Sequence, residues 1–210
     1  VVVMAMLAYP LSRPNYKYKK IATFFIFFTM LFSGGLIPTY IWITRYLHLG
    51  DTIWVYILPC LVNAFHVIVI RSFFQGLPQA LMESAKIDGA SELQTFFKIV
   101  MPLSKPVIAT ISLLTLLSRW NDWNTALIYI KSSNLYSLQY LLQKILREAE
   151  FVKNMAESSP VAGVDLDLSN LPSVTIRFAM CMVAAGPMLI IFPFFQKYFA
   201  KGLTVGAVKG

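Results

Sequence analysis

Uninterrupted apolar runs of membrane-spanning length are the feature that most limits how this chain can fold. A helix needs about 20 mostly apolar residues to cross roughly 30 Å of hydrocarbon. The runs that meet or approach this length are Ile21 to Ile43, Thr52 to Ile70, Pro106 to Ile130 and Phe178 to Gln196. We expect the apolar opening from Val1 to Ala8 to be the tail of a truncated span. The pattern predicts an all-α polytopic membrane protein with about four full transmembrane helices and a partial N-terminal one.

The composition excludes an ordinary soluble domain. Hydrophobic residues make up 57% of the chain and charged residues 13%, against about 45–50% and about 25% in globular domains. So little charge cannot cover a water-facing surface. The net charge of +8 does not indicate nucleic-acid binding, because the basic residues are spread over short loops rather than along one stripe. Cys60 and Cys181 lie inside apolar runs, where we expect each thiol to pack as a small hydrophobe.

The distribution of lysine and arginine predicts the orientation. Short loops that carry an excess of these residues face the cytoplasm. The segments before the first full span, from 73 to 105, and after the last span carry that excess. Segment 131–172 has acidic residues that balance its basic ones, so we expect it outside the cytoplasmic membrane of a bacterium. Apolar residues recur every three or four positions from Leu138 to Val152 and predict an amphipathic helix, followed by a loop from Ser158 to Pro172.

Motifs of the common enzyme classes are missing from the sequence. It contains no G-x-x-x-x-G-K-[ST] phosphate loop and no G-x-S-x-G elbow. His48 and His66 are too far apart for a zinc helix of the H-E-x-x-H type. We therefore predict no catalytic residue, no metal site and no cofactor in this chain, and a conduit rather than an enzyme.

The segment from 73 to 105, called the inner loop below, carries the signals of two short helices. Pro78 suits a first helical turn, and Gly89 suits a left-handed helix stop. Ser91 and Gln94 have the spacing of a capping box for a second helix, which we expect Pro102 to end. The first helix offers both apolar and acidic surface. These helices either dock on something outside the bilayer or only shape the loop.

The inner loop also carries a known motif. The permease subunits of binding-protein-dependent ABC importers have the pattern E-A-A-x-x-x-G, nine residues, then I-x-L-P. The chain matches this spacing with Glu83, Ser84, Ala85, Gly89, Ile99 and Pro102. Ser84 replaces an alanine, and Met101 replaces the leucine before the proline. The chain therefore resembles these permeases. The stretches from Ala85 to Ser91, from Trp120 to Trp123 and from Tyr198 to Gly210 are similar to the oligosaccharide and polysaccharide permeases related to the maltose system's smaller permease.

The resemblance implies a fold, a task and partners. The fold is the type I ABC importer permease fold over residues 1–210, N-terminally truncated from the usual six spans. The inner loop is then a coupling element that docks on an ATPase subunit, and its residues are Glu83, Ser84, Ala85, Asp88 and Gly89, with Ile99 and Pro102 fixing its return to the bilayer. The implied partners are a second permease, a pair of ATPase subunits that bind ATP, an external sugar-binding protein and membrane lipid.

A polar band interrupts the third apolar run. Ionisable groups inside a span are unfavourable and face a cavity or each other. Arg119 and Asp122 have a spacing of three, so one possibility is that they neutralise each other. The other is that the band lines a sugar path, because indoles stack on sugar rings and amides bond hydroxyl groups. The neighbouring residues are Trp120, Asn121, Trp123 and Asn124.

A second class of transporter stays open on the residues alone. A carrier driven by an ion gradient places its coupling site on ionisable groups near the bilayer midplane. Arg119, Asp122 or His66 are the candidates in this chain. This mechanism does not explain why the inner loop is folded. A membrane-embedded enzyme is disfavoured, because the sequence offers no nucleophile, metal cluster or acid-base pair.

Overall fold

The computed structural model describes residues 1–158 and 173–207, and the regular elements in these ranges are all helical, as predicted. The α-helices are α1 (Val2–Ser12), α2 (Lys19–Leu31), α3 (Leu36–Ile41), α4 (Trp54–Ile57), α5 (Ala64–Gln75), α6 (Gln79–Ile87), α7 (Glu92–Thr95), α8 (Met101–Leu103), α9 (Lys105–Trp120), α10 (Asn124–Tyr129), α11 (Leu138–Ser158) and α12 (Ser173–Ala207). Further turns are π-helical at Trp42–Tyr46 and Phe96–Val100, and 3-10 helical at Leu58–Cys60 and Ser133–Leu135. α11 contains the predicted amphipathic segment. The loop predicted to follow it lies, after Ser158, outside the described residues.

The described residues contain one helix of membrane-spanning length and three bent helix pairs that reach this length together. Phe178–Gln196, within α12, is by itself long and apolar enough to cross a bilayer. Three further candidates are pairs of helices bent at a short break: Lys19–Leu31 with Leu36–Tyr46, Trp54–Cys60 with Ala64–Gln75, and Glu92–Leu103 with Lys105–Trp120. If each pair counts as one crossing, the described residues hold up to 4 membrane crossings.

The first predicted span is not one straight helix. The run from Ile21 to Ile43 is broken after Leu31, and the two halves meet at 112°. Gly35 has a φ of +85°, which a continuing right-handed helix cannot include. Pro38 follows in the first turn of α3, where a missing N–H donor does no harm. Hydropathy alone predicted a continuous crossing because it does not register backbone conformation.

The second and third predicted spans are also interrupted. In the run from Thr52 to Ile70, the chain bends by 45° after Cys60, and Asn63 caps the next helix by accepting the N–H of His66 at 3.1 Å. In the run from Pro106 to Ile130, α9 ends at Trp120, and α10 begins only at Asn124. Both interruptions contain side chains that bond to the backbone and compete with continuous helix formation.

One buried cluster joins the first helix to the inner loop. Its fully or largely buried members are Met4, Ala5, Ala8, Tyr9, Leu11, Val67, Ile70, Phe74, Phe96, Val100, Val107 and Ile111. They come from α1, α5, α9 and the second half of the inner loop. Ala5 and Ala8 have 0% exposure, and small residues of this kind let helices approach closely. The inner loop is thus packed on the helical body.

Candidate functional sites: the inner loop and the polar band

The first helix of the inner loop ends as predicted. Gly89 has a φ of +77°, and two backbone hydrogen bonds close the end of α6. Gly89 donates to the carbonyl of Lys86 at 3.1 Å, and Ala90 donates to the carbonyl of Ala85 at 2.9 Å. These two hydrogen bonds, together with the left-handed conformation of Gly89, form a Schellman motif. The turn sets the direction in which the chain leaves α6.

The capping box of the second helix is confirmed. The N–H of Gln94 donates to Ser91 Oγ at 3.3 Å, and the N–H of Ser91 donates to Gln94 Oε1 at 2.9 Å. The second helical stretch ends at Leu103, one residue later than the end predicted at Pro102. Helical turns extend one residue past Pro102, to Leu103, because Pro102 lies in the first turn of the separate element α8, after the π-helical turn at Phe96–Val100, where no N–H donor is needed. The chain then turns by 80° into α9, at Ser104.

The coupling residues implied by the family motif lie on two sides of the inner loop. Ala85 is buried, and Ile99 is half-buried. The exposed members are Glu83, Ser84, Asp88, Gly89 and Pro102. Ile87 and Leu93 are 86% and 63% exposed beside them. The loop therefore presents a surface with acidic and apolar side chains, while Ala85 lies against this chain's own fold.

Glu92 is the residue of the inner loop that sequence reasoning missed. Its Oε2 accepts the hydroxyl of Tyr9 at 2.8 Å and lies 3.8 Å from the guanidinium of Arg13. Its Oε1 lies 3.1 Å from Lys86 Nζ. Tyr9 and Arg13 belong to the end of α1, far from Glu92 in sequence. No local signal marks this contact, because it depends on how α1 packs.

The polar band forms the ion pair that was one of the two possibilities left open by its sequence. Arg119 Nη1 lies 3.0 Å from Asp122 Oδ2 and also contacts the sulfur of Cys60. Asp122 accepts the N–H of Thr125 at 3.0 Å and its hydroxyl at 2.8 Å. The carboxylate thus both neutralises Arg119 and caps α10. Cys60, expected to pack as a small hydrophobe, is half-buried against a guanidinium instead.

The other members of the band point in different directions. Trp120 Nε1 donates to the carbonyl of Ala184 in α12 at 2.8 Å. The ring of Trp123 lies under Arg147 of α11, with 5.3 Å between the guanidinium carbon and the ring centroid. Both indoles are half-buried, whereas Arg119, Asn121 and Asn124 are exposed. The structure therefore does not gather all six predicted pathway residues on one face.

A third polar cluster ties two loops together. Asp51 accepts the N–H groups of Lys131 and Ser132 at 2.9 and 2.8 Å and the Ser132 hydroxyl at 2.6 Å. The N–H of Asp51 donates to the carbonyl of Tyr129 at 2.9 Å. These hydrogen bonds, chiefly that of the Ser132 hydroxyl, lower the pKa of Asp51. The cluster holds the segment before α11 against the turn that follows the first bent pair.

Comparison with protein families identifies the class of the chain. Residues 2–205 match the family described as binding-protein-dependent transport system inner membrane component. The chain belongs to this family. The inner-loop helices and the polar band are therefore parts of an inner membrane transport component.

Curated relatives and a solved structure support the same family. The polygalacturonan/rhamnogalacturonan transport system permease protein YtcP of Bacillus subtilis (strain 168) is 42% identical over 212 residues, which cover 98% of this chain and 70% of YtcP. Protein LplC of the same strain is 42% identical over 204 residues, covering 97% of this chain and 66% of LplC. A bacterial ABC transporter involved in the import of the acidic polysaccharide alginate has a chain of similar fold, with a TM-score of 0.76 and 30% identity, covering 95% of this chain and 70% of that one. The chain thus spans roughly two thirds of the length of these relatives.

Proposed function

We propose that this chain is the membrane-spanning permease subunit of an ATP-driven importer of oligosaccharides or polysaccharides and forms half of its translocation pathway. The observation that carries the proposal is the match of nearly the whole chain to a binding-protein-dependent transport family. The names of the relatives, which include a polygalacturonan/rhamnogalacturonan transport system permease and an arabinooligosaccharides transport system permease, support the substrate class. A carrier driven by an ion gradient is disfavoured, because that family depends on a binding protein.

In the proposed arrangement the inner loop is cytoplasmic and couples the permease to an ATPase subunit. Two capped helices joined by a fixed turn at Gly89 form a stiff element that a partner can push. Glu83, Asp88 and Ile87 supply the exposed contact surface, and Ala85 lets the helix lie close to its own subunit. Closure of the ATPases then favours one orientation of the loop and shifts the permease between two states. ATP binds to the partner, and no covalent bond changes in this chain.

The proposed solute path passes the exposed part of the polar band. Asn121 and Asn124 offer amide groups that can bond sugar hydroxyls, while the pairing of Arg119 with Asp122 keeps the band nearly neutral. A polar surface of this kind can hold the hydroxyl groups of a sugar by hydrogen bonds. Segment 131–172 lies on the opposite side of the membrane in this arrangement, where an external binding protein delivers the solute.

Reconstitution of the full-length protein tests the proposal. Proteoliposomes with the second permease and the ATPase should take up labelled oligosaccharide only when ATP and the binding protein are supplied. The permease alone should neither bind nor hydrolyse ATP. Uptake that continues without ATP and is abolished by a protonophore would instead establish the ion-driven carrier.

A further inference from the structure

The end of α1 contacts the inner loop at one polar cluster. Glu92, at the start of α7, contacts Tyr9 at 2.8 Å and Lys86 at 3.1 Å. Arg13 lies over the ring of Tyr9, 4.3 Å from its centroid, and also contacts Met82 of α6. Both short helices of the loop are therefore attached to the same turn of α1.

Apolar packing reinforces the polar contacts. Tyr9 meets Phe96 edge to face, with 5.2 Å between the ring centroids. Tyr9 is 8% exposed and Phe96 is 2% exposed, and both belong to the buried cluster that joins α1, α5 and α9. A close-packed cluster moves as a unit, because interiors are not continuously deformable. A displacement of the inner loop is thus transmitted to α1 without a flexible connection between them.

The contacts enclose a cavity on one side. It has a volume of about 510 Å³ and opens between the end of α1 and the two loop helices. Tyr9, Arg13, Lys86 and Glu92 all line this cavity, so on this side the polar cluster joins α1 to the two loop helices. Surface ion pairs contribute little on their own, but here a hydroxyl, a guanidinium and an ammonium share one carboxylate.

We propose that Glu92 is a positioning residue that, through Tyr9 and Arg13, fixes the inner loop to α1 and so transmits loop displacement to the membrane-spanning helices. This inference rests on the proposed function, because transmission has a meaning only if the loop is pushed by an ATPase. It assigns to Glu92 and Tyr9 a task distinct from that of the exposed contact surface. Their loss loosens the linkage and leaves docking intact.

The test uses the full-length protein in its complex with the second permease and the ATPase. Glu92→Gln keeps the side-chain volume and removes the charge, and Tyr9→Phe removes only the hydroxyl. Glu148→Gln is the matched control, since Glu148 is an exposed carboxylate paired with a lysine, Lys144, at 3.9 Å in α11. Tyr16→Phe is the matched control for Tyr9→Phe, since it removes the hydroxyl of an exposed tyrosine. The measurement is solute transported per ATP hydrolysed, together with the ATPase content of the purified complex.

We expect each test variant to lower transport per ATP about fivefold, the size of effect that the net loss of one hydrogen bond of ordinary strength gives. The ATPase content and the rate of hydrolysis should stay near parental, and both controls should behave as the parent. The double variant should be little worse than the worse single variant, because the two residues share one hydrogen bond.

Two results would overturn the inference. One is an unchanged transport-to-hydrolysis ratio in both test variants. The other is a parallel fall of ATPase content and transport at a constant ratio, which means that Glu92 only supports folding. If Gly89→Val uncouples the complex while Glu92→Gln does not, this inference alone fails. If the parent complex transports without ATP, the proposed function itself fails.

Discussion

Replacement of Gly89 by valine is the sharpest test of the inner loop as a coupling element. Gly89 has a φ of +77°, and apart from its own two chain neighbours no residue has an atom within 4 Å of the position that a Cβ would occupy. The substitution therefore meets no crowding, and its whole effect comes from the backbone. A left-handed conformation costs an L-residue about 1–2 kcal/mol, and a β-branched side chain makes it a clear outlier.

The chain can escape that strain only by losing the turn. If residue 89 moves to a negative φ, the hydrogen bonds from Gly89 to Lys86 and from Ala90 to Ala85, at 3.1 and 2.9 Å, are broken. Each such bond contributes about 0.5–1.5 kcal/mol. Either route gives a local loss of roughly 1–3 kcal/mol, enough to re-aim α6 relative to α7 while the membrane-spanning helices stay intact.

The assay is co-purification of the ATPase with the full-length permease, followed by measurement of ATP hydrolysis and of solute uptake. We expect Gly89→Val to insert and pair normally but to bind the ATPase weakly or to hydrolyse ATP without uptake. Gly89→Asn is the matched control, because asparagine tolerates the left-handed conformation. Glu83→Ala should act in the same direction more mildly. Equal uptake per ATP for the valine variant, the asparagine variant and the parent would refute the reasoning.

Three further predictions concern the topology and the other two polar clusters. With the native cysteines removed, Gln94→Cys should react with an impermeant thiol reagent only in inside-out vesicles. Asp122→Asn should lower transport, since it leaves Arg119 without its carboxylate, and the double variant with Arg119→Gln should recover part of the loss. Asp51→Asn should lower the melting temperature at neutral pH, and the difference from the parent should shrink as pH falls below the usual carboxyl pKa of 3.8.

The sign of the pH effect follows from the direction of the pKa shift. The pKa of Asp51 is lower in the folded chain, so its hydrogen bonds stabilise the fold fully above the usual value and lose that effect as pH falls through the depressed value. A melting difference that stays constant down to pH 3 contradicts this account. Labelling of Gln94→Cys from outside intact cells inverts the predicted topology. If the double variant transports no faster than Asp122→Asn, the loss of transport does not come from breaking the ion pair.

Much of the site followed from signals that act over a few residues. The helix stop at Gly89, the capping box of Ser91 and Gln94, and the pairing of Arg119 with Asp122 all depend on spacings of three to five positions. The same holds for the amphipathic helix after Leu138. Helical geometry brings such neighbours together wherever the helix lies. The sequence therefore determined the class of protein, the elements of the inner loop and the charge balance of the polar band.

Contacts between distant segments were decided by the tertiary structure. Tyr9 reaches Glu92 across 83 positions, and Asp51 reaches Ser132 across 81. No periodicity encodes these pairs, because each depends on how segments far apart in the sequence pack against each other. The bend of 112° in the first predicted span has a local cause, the left-handed Gly35, but hydropathy does not register it, since an apolar run has the same hydropathy whether it is straight or folded back. Hydrophobicity is nearly directionless, so the sequence alone determined which segments avoid water, and only packing decided which of them meet.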